Sequence, residues 1–211
     1  MTPHYRDWNY KGSAAIPLAA TKLYAARTRL CRLSPLILMT DPVRITDPVA
    51  AAHAMPIGST VIYRHFGKDD RHEEAGHLRA VTLERRQQLL IGHDPALAIA
   101  AGADGVHFRR HSAPGLAALW RARIPEWIIT RASLKSGAIF EQPVSALDAV
   151  FVSSIFESRS PSAGVPVGVE ALTATCKKLD VPVIALGGIN SSNAGDLIGT
   201  GAAGLAGVSY T

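Results

Sequence analysis

The sequence predicts an α/β fold of eight βα units closed into a barrel, and three observations support that prediction. From Pro35 onward, short apolar runs alternate with longer segments of helical length, which is the pattern of a parallel sheet with its connecting helices. Eight such runs follow one another along the chain. The peptide Gly-Ala-Asp-Gly at 102–105 returns as Gly-Ala-Ala-Gly at 201–204, a separation of about four βα units that places the copies on strands four and eight. Eight βα units that close on themselves form a TIM barrel.

The alternative fold is an open, doubly wound sheet. Such sheets more commonly have about five to seven strands, and a glycine-rich turn follows their first strand. The first apolar run here, 36–40, has no such turn after it. The closed barrel is therefore favoured.

The segment before the barrel is predicted to contain one amphipathic helix. Residues 18–33 have apolar side chains at helical spacing, whereas residues 1–17 have no period. The apolar positions of this helix are Leu23, Ala26, Leu30 and Leu33.

The strands are predicted from short, largely aliphatic runs bounded by turn residues. They are 36–40, 60–64, 88–91, 105–108, 127–129, 149–152, 183–186 and 204–208. Segments long enough for a helix lie between them at 47–54, 72–86, 95–101, 113–122, 169–179 and 192–198. In the repeated peptide, the first glycine is expected to end a helix in the left-handed conformation and the second to open a strand.

The chain divides into an N-terminal extension, 1–34, and a barrel domain, 35–211. Strand eight ends near Val208 and the sequence ends at Thr211, which leaves no residues for an eighth helix. Because strands one and eight are neighbours in a closed barrel, the N-terminal helix is expected to replace the missing one and cover the bare face. A second copy of the chain in a homo-oligomer is the alternative cover.

Composition limits the class of protein. The 211 residues are 47% apolar and 18% charged, which is ordinary for one globular domain. No uninterrupted apolar run approaches the roughly 20 residues of a membrane-spanning helix, so no membrane partner is expected. The sequence has no recognisable secretory signal, and Cys31 and Cys176 suggest neither a disulfide framework nor a metal-ligand pair. We expect a cytoplasmic protein with reduced thiols.

The net charge of +5 and the isoelectric point near 9.5 raise the question of nucleic-acid binding. The excess lies in the first 35 residues, where Asp7 is the only acidic residue. The basic residues of that segment are Arg6, Lys11, Lys22, Arg27, Arg29 and Arg32. The remainder is neutral, so no nucleic-acid partner is expected. The basic segment is either a solvated helix face, which we favour, or a docking arm for an anionic partner.

A phosphate site is predicted where the loops after strands seven and eight meet, because TIM barrels often bind phosphate there. Gly187 and Gly188 follow strand seven, and adjacent glycines let backbone N–H groups approach an anion. Asn190 or Ser191 is expected to cap the helix that follows, and Ser209 ends strand eight nearby. The alternative is that the two glycines only make a tight turn; the position of Ser209 favours phosphate.

Five motifs follow one another along the barrel. They are Leu-Met-Thr-Asp-Pro at 38–42, Ala-Asp-Gly-Val-His at 103–107, Val-Phe-Val-Ser-Ser-Ile-Phe at 150–156, Val-Ile-Ala-Leu-Gly-Gly-Ile at 183–189 and Gly-Leu-Ala-Gly-Val-Ser at 204–209. In this order and spacing they resemble the thiamine-phosphate synthase and thiazole tautomerase superfamily. The resemblance implies a TIM barrel that joins hydroxymethylpyrimidine pyrophosphate to a thiazole phosphate in thiamine biosynthesis, giving thiamine phosphate and pyrophosphate. It also implies a pyrimidine carbocation, and Mg²⁺ to neutralise the leaving pyrophosphate.

The thiazole-phosphate half of the site matches the superfamily well. Ser158 and Ser160 stand where the superfamily has two threonines after strand six. The positions that match its phosphate site are Gly168, Gly187, Gly188, Val208 and Ser209.

The pyrophosphate half departs from the superfamily pattern. After strand two, Arg64 is kept and the lysine is displaced to Lys68. After strand three, the Mg²⁺-binding aspartate is matched by Asp94, one residue out of register, and the segment 109–112, where a second acidic ligand is expected, has no carboxylate. The resemblance implies catalytic roles for Arg64 and Asp94, with Asp94 as the candidate metal ligand. One displaced carboxylate is a poor site for Mg²⁺, which requires several oxygen ligands.

Basic side chains are the alternative to a metal ion. Five are expected at or just past the carboxyl ends of strands two, four and five, where they could bind phosphate directly: Arg64, Lys68, Arg109, Arg110 and Arg131. Four histidines near this rim have no zinc-ligand spacing, so no zinc is expected: His65, His93, His107 and His111.

The residues leave two functions open. One is a transferase of the thiamine-phosphate synthase type with an altered pyrophosphate site, which we favour. The other is a catalytically degenerate member that binds thiazole phosphate or thiamine phosphate without coupling. A thiazole tautomerase-like protein is disfavoured because the superfamily's strand-five histidine is replaced within 130–134. In each case the expected partner is a phosphorylated small molecule.

Overall fold

Eight parallel strands form a closed barrel in this computed structural model, in which each strand pairs with the next and the eighth pairs with the first. The structure describes residues 14–27, 29–67, 69–132, 144–158, 160 and 164–208. The strands are β1 (Leu36–Met39), β2 (Thr60–Tyr63), β3 (Gln88–Gly92), β4 (Gly105–Phe108), β5 (Ile128–Ala132), β6 (Ala149–Val152), β7 (Val183–Leu186) and β8 (Gly204–Gly207). The predicted TIM barrel is confirmed, and each predicted strand has its counterpart.

Helices surround the barrel. They are α1 (Ala15–Ala26), α2 (Pro48–Ala54), α3 (Arg71–Glu84), α4 (Pro95–Ala100), α5 (Leu116–Arg123), α6 (Gly168–Lys178) and a 3₁₀ helix (Ala194–Leu197) between β7 and β8. None of these described helices is long and apolar enough to cross a membrane.

The N-terminal helix begins and ends earlier than the predicted 18–33. Arg27, directly after α1, has an extended backbone with ψ of 138°, so the chain leaves the helical path there. Leu30 is 90% exposed and takes no part in a buried helix face. Leu33 is buried with residues of the barrel interior. The apolar spacing that predicted the longer helix therefore reflects two separate packing environments.

α1 packs on the barrel beside β8. Its buried side chains share one cluster with Leu205 of β8 and Leu197 of the 3₁₀ helix. Those side chains are Ile16, Ala19, Ala20 and Leu23. α1 thus covers the part of the sheet where a helix following β8 would pack.

Side chains on the strands point alternately toward the helices and into the barrel. The outward ones, such as Val61 and Val150, form the core between sheet and helices. The inward ones fill the barrel with aliphatic and aromatic groups: Ile37, Ile62, Leu90, Phe151 and Ile184. Because the barrel interior is packed, a ligand must bind at one of its ends.

The second glycine of each repeated peptide is required by close approach between neighbouring strands. A Cβ on Gly105 would lie 1.9 Å from the carbonyl oxygen of Ile128, and one on Gly204 would lie 2.6 Å from that of Pro35. The first glycine of each copy has a positive φ, as predicted. The repeat in the sequence therefore records the same αβ junction at β4 and β8.

Candidate active site at the carboxyl ends of the strands

A cavity of about 660 Å³ lies at the carboxyl ends of the strands. The loops after β1, β2, β6, β7 and β8 line it. It brings together six residues that the sequence singled out: Arg64, Ser158, Ser160, Gly187, Gly188 and Val208. The other side chains around it include Arg44, Ser153, Ser154, Glu157, Asn190, Ser191 and Ser192, so its wall is mainly polar.

Arg64 is held in the cavity wall by Thr40, the residue directly after β1. Its backbone N–H donates to Thr40 Oγ1 over 2.8 Å, and its Nε donates to the Thr40 carbonyl oxygen over 2.9 Å. Burial lowers the pKa of the Arg64 guanidinium, and the carboxylate of Asp41 opposes that shift. An arginine remains charged under such conditions because its ordinary pKa lies far above neutral pH. Arg64 therefore presents a fixed positive charge to the cavity.

Arg44 is a second cation in this wall, and it was not among the site residues predicted from the sequence. Asp41 Oδ1 accepts the backbone N–H groups of Val43 and Arg44, each over 3.1 Å, and so forms a tight turn after β1. Asp41 Oδ2 accepts from Arg44 Nη2 over 3.1 Å. The Asp-Pro step at 41–42 was a signal for this turn, but it does not tell which side chain the turn directs into the cavity.

The loops after β6 and β7 pair closely below the cavity. The N–H groups of Ile155 and Phe156 donate to the carbonyl oxygens of Leu186 and Gly187, each over 3.0 Å. Gly188 has a φ of 69°, and a Cβ there would lie 2.2 Å from the Glu157 carbonyl oxygen. Backbone packing thus requires glycine at this position, whether or not an anion binds beside it.

The loop after β7 is held by asparagines rather than by a capped helix. Asn193 Nδ2 donates to the Gly188 carbonyl oxygen over 2.9 Å, and Asn193 Oδ1 accepts the Asn190 N–H over 2.8 Å. Asn190 Oδ1 accepts from the backbone of Ser192. The expected helix at 192–198 is a four-residue 3₁₀ helix without a side-chain cap, so the expected capping role of Asn190 or Ser191 is wrong.

The remaining residues predicted for the phosphate site are not among the described residues that line the cavity. Gly168 starts α6 with a φ of 78°, and its N–H donates to the Ile155 carbonyl oxygen over 3.0 Å. It supports the loop after β6 and is not among the described residues that line the cavity. Ser209 and Lys68 lie outside the described residues.

The sequence of the whole barrel matches one family. A family model described as thiamine monophosphate synthase matches residues 36–210. The chain belongs to the thiamine monophosphate synthase family. The resemblance inferred from the five motifs is confirmed.

Individual members of this synthase family align with most of this chain. A thiamine-phosphate synthase from Chloroflexus aurantiacus is 32% identical over 156 residues, which cover 72% of this chain and 71% of that protein. One from Acidithiobacillus ferrooxidans is 31% identical over 188 residues, covering 84% and 86%. The solved structure of a thiamine phosphate pyrophosphorylase from Pyrococcus furiosus has a TM-score of 0.67 at 23% identity, covering 81% of this chain and 83% of that one. At that identity, the structural match supports the fold.

The Mg²⁺ that the synthase family implies does not fit the carboxylates that the structure describes. Asp94 Oδ1 accepts the N–H of Leu97 over 2.9 Å and caps α4, while Asp94 Oδ2 lies 2.7 Å from Arg71 Nη2. The described residues contain no group of three or more His, Cys, Asp or Glu side chains that could hold a metal ion. Asp94 is also absent from the described lining of the cavity. The described carboxylates therefore do not form a Mg²⁺ site.

A histidine and a serine lie where the carboxylates are missing. His93 precedes Asp94 and has a φ of 57°, which is uncommon for a residue with a side chain. Its Nδ1 lies 3.4 Å from Oγ of Ser112. Burial first, and then the charge of Arg109, lower the pKa of His93. A neutral imidazole beside a hydroxyl supplies little negative charge to attract Mg²⁺.

Two of the expected rim arginines are used elsewhere. Arg131 lies within β5 and is buried; the strand alternation places it on the outward side, with Ile129, rather than in the cavity. The guanidinium carbon of Arg109 lies 4.2 Å from the ring centre of Phe66, a cation–π contact that joins the loops after β2 and β4. The expectation that Arg131 binds phosphate at the rim is wrong.

His107 is packed inside the barrel. Its Nδ1 lies 2.9 Å from Thr130 Oγ1, and its ring meets that of Phe151 edge to face at 4.8 Å. Burial, followed by the positive charge of Arg64, lowers the pKa of His107 to about 3. His107 is therefore neutral at ordinary pH and is buried with Thr130 and Phe151 inside the barrel.

Proposed function

We propose that this chain is a thiamine-phosphate synthase, joining hydroxymethylpyrimidine pyrophosphate to a thiazole phosphate. One observation supports this above the others. A single cavity sets Arg64, from the loop after β2, opposite the serine and glycine loops after β6 and β7. These are two separate places for phosphate groups, as a reaction between two phosphorylated substrates requires. The family membership supplies the identity of those substrates.

The proposed reaction breaks one bond and forms one. The bond between the pyrimidine methylene carbon and the pyrophosphate oxygen breaks, and its electron pair leaves with pyrophosphate. The methylene carbocation then accepts the lone pair of the thiazole nitrogen, which gives thiamine phosphate. Negative charge develops on the leaving oxygen, so a positive group fixed beside it lowers the barrier.

The residues of the cavity divide between the two substrates. Arg64 donates to the pyrophosphate through its guanidinium, whose orientation the Thr40 carbonyl oxygen fixes. Ser158 and Ser160, together with the turn at Gly187 and Gly188, bind the thiazole phosphate on the other side. The barrel interior beneath the strand ends is packed with buried side chains such as Ile62 and Phe151, which limits access of water to the carbocation from below.

The test is the formation of thiamine phosphate by the purified chain from the two precursors, followed by chromatography with and without added Mg²⁺. Arg64→Ala is expected to lower kcat/KM by roughly 10- to 100-fold, since a hydrogen bond to a charged group contributes about 1.5–3 kcal/mol. Arg123→Ala is the matched control, because Arg123 is exposed on α5 and far along the chain from the cavity loops.

Two results would overturn the proposal. A wild-type chain that forms no thiamine phosphate at any Mg²⁺ concentration, but whose Tm rises with thiamine phosphate, binds without coupling. If Arg64→Ala keeps the coupling activity of the wild type, the pyrophosphate does not bind at the wall that contains Arg64.

A further inference from the structure

Two guanidinium groups face the same cavity from neighbouring loops. Arg44 follows β1, and Arg64 follows β2, the strand that pairs with β1. The two residues that follow β1 hold them both: Thr40 binds Arg64, and Asp41 binds Arg44. The two arginines are therefore held in place by two consecutive residues and are not independent surface residues.

Both guanidiniums keep donors for a ligand. Arg64 uses Nε for Thr40, and Arg44 uses Nη2 for Asp41. Among the residues that the structure describes, no acceptor lies within hydrogen-bond distance of the two Nη atoms of Arg64, or of Nε and Nη1 of Arg44. A guanidinium has five N–H donors in a planar fork, so each arginine can make a two-point contact with phosphate oxygens.

The electrostatics of this wall favour a polyanion. The charge of Arg44 lowers the pKa of Arg64, so the two cations lie close enough to repel one another. The carboxylates near them are Asp41, which pairs with Arg44, and Glu157 across the cavity. An anion with several charged oxygens bound between the arginines would replace that repulsion with two attractive contacts.

We propose that Arg44 and Arg64 together bind the pyrophosphate group of the substrate, and that this pair takes over the charge neutralisation that a divalent metal would otherwise provide. The inference rests on the proposed function for the identity of the substrate. The carboxylate of Asp94 pairs with Arg71, and the described residues contain no cluster of metal ligands to neutralise the leaving group. Of the described residues that line the cavity, these two arginines are the ones that carry a positive charge.

The experiment measures binding of inorganic pyrophosphate to the full chain by calorimetry, in buffer with EDTA. The wild type is expected to bind. Arg44→Ala is expected to weaken binding by roughly 10- to 100-fold, the effect of losing hydrogen bonds to a charged group. Arg44→Gln, which keeps an amide donor for Asp41, should weaken binding to a similar extent, and Arg123→Ala should leave it unchanged. Arg44→Lys should lie between wild type and Arg44→Ala, since it keeps the charge but not the fork.

Three results would overturn the inference. They are pyrophosphate binding that requires Mg²⁺, unchanged affinity in both Arg44→Ala and Arg44→Gln, and a loss in these variants confined to the KM for the thiazole phosphate. Because the readout is binding, it is separate from the coupling assay. A chain that binds pyrophosphate through Arg44 but forms no thiamine phosphate supports this inference and removes the proposed function. A chain that forms thiamine phosphate, and whose Arg44 variants bind pyrophosphate with wild-type affinity, supports the proposed function and removes this inference.

Discussion

Arg71 Nη2 lies 2.7 Å from Asp94 Oδ2, so the first residue of α3 holds the carboxylate that caps α4. This contact decides the role of Asp94 in the fold. Its other oxygen accepts the Leu97 N–H, which satisfies one of the free donors at the start of α4. A carboxylate engaged in this way positions the loop after β3, and the guanidinium of Arg71 competes with any cation for Oδ2.

Substitution of Asp94 should therefore affect stability more than metal dependence. Asp94→Asn keeps a good N-cap and loses the ion pair with Arg71, at a cost of up to about 1 kcal/mol. Asp94→Ala loses both contacts and should cost about 1 kcal/mol more. Urea denaturation measures these differences. Asp47 is the matched control, because it caps α2 through the Ala50 N–H over 2.8 Å in front of a proline, and no ion pair is described for it.

The effect on coupling separates the two roles of Asp94. If Asp94→Asn abolishes Mg²⁺ stimulation that the wild type displays, the carboxylate is a metal ligand during turnover. Equal Mg²⁺ responses of wild type and Asp94→Asn are the expected result.

Gly188 should tolerate no side chain, for a reason that lies in the loop after β6. Gly188→Ala forces a Cβ toward the Glu157 carbonyl oxygen at 2.2 Å and also strains a φ of 69°. Gly199→Ala is the matched control, since Gly199 has a φ of 90° but open space around its Cβ. We expect Gly199→Ala to lower the free energy of unfolding by about 1 kcal/mol and Gly188→Ala to lower it by at least about 2 kcal/mol more. Equal losses in thermal denaturation would contradict the close packing.

The strands and the closure of the barrel could be predicted because both are local or repetitive. Aliphatic runs mark the strands, and the glycines that strand crowding requires at Gly105 and Gly204 repeat in the sequence. Arg64 and the glycines after β7 could be placed because the order of the loops follows from the order of the strands.

The predictions that failed depend on contacts between distant segments. Arg71 engages Asp94 from a different helix, and no periodicity in the sequence predicts that pairing. Arg131 and Thr130 point to opposite sides of β5, and the two were distinguishable only once the strand bounds were known. The direction of the Arg44 side chain depends on the geometry of the turn after β1 that Asp41 holds. Side-chain direction at a strand end is therefore the part of the site that the sequence does not determine locally.

α1 should be an integral part of the barrel's stability. Leu23 is 1% exposed and lies in the main core, so Leu23→Ala is expected to cost about 2–5 kcal/mol. Leu30→Ala, at a position that is 90% exposed, should have no measurable effect.

Deleting residues 1–33 should cause aggregation or loss of cooperative unfolding, because β8 and the 3₁₀ helix would be uncovered. A truncated chain that stays soluble and melts like the full one would contradict this role for α1.

The buried His107 should make stability depend on pH below about 6.5. Its pKa is about 3 in the folded chain, against 6.5 for an ordinary histidine, so the unfolded chain binds the extra proton between these values. The free energy of unfolding therefore falls as the pH decreases from about 6.5 toward about 3, by up to about 1.4 kcal/mol per pH unit from this residue, and is unaffected by it above that window.

His107→Asn isolates this contribution, because its amide can still meet Thr130 Oγ1 but has no proton to gain. The variant should be less stable than wild type at pH 7, since it leaves a cavity beside Phe151, and its stability should decline less steeply between pH 6.5 and about 4. Arg64→Gln should raise the His107 pKa in the folded chain, because it removes the positive charge that opposes protonation. Urea denaturation across this pH range measures the slopes. Equal slopes for wild type and His107→Asn would mean that His107 reaches solvent and that the barrel interior below the cavity is not closed to water.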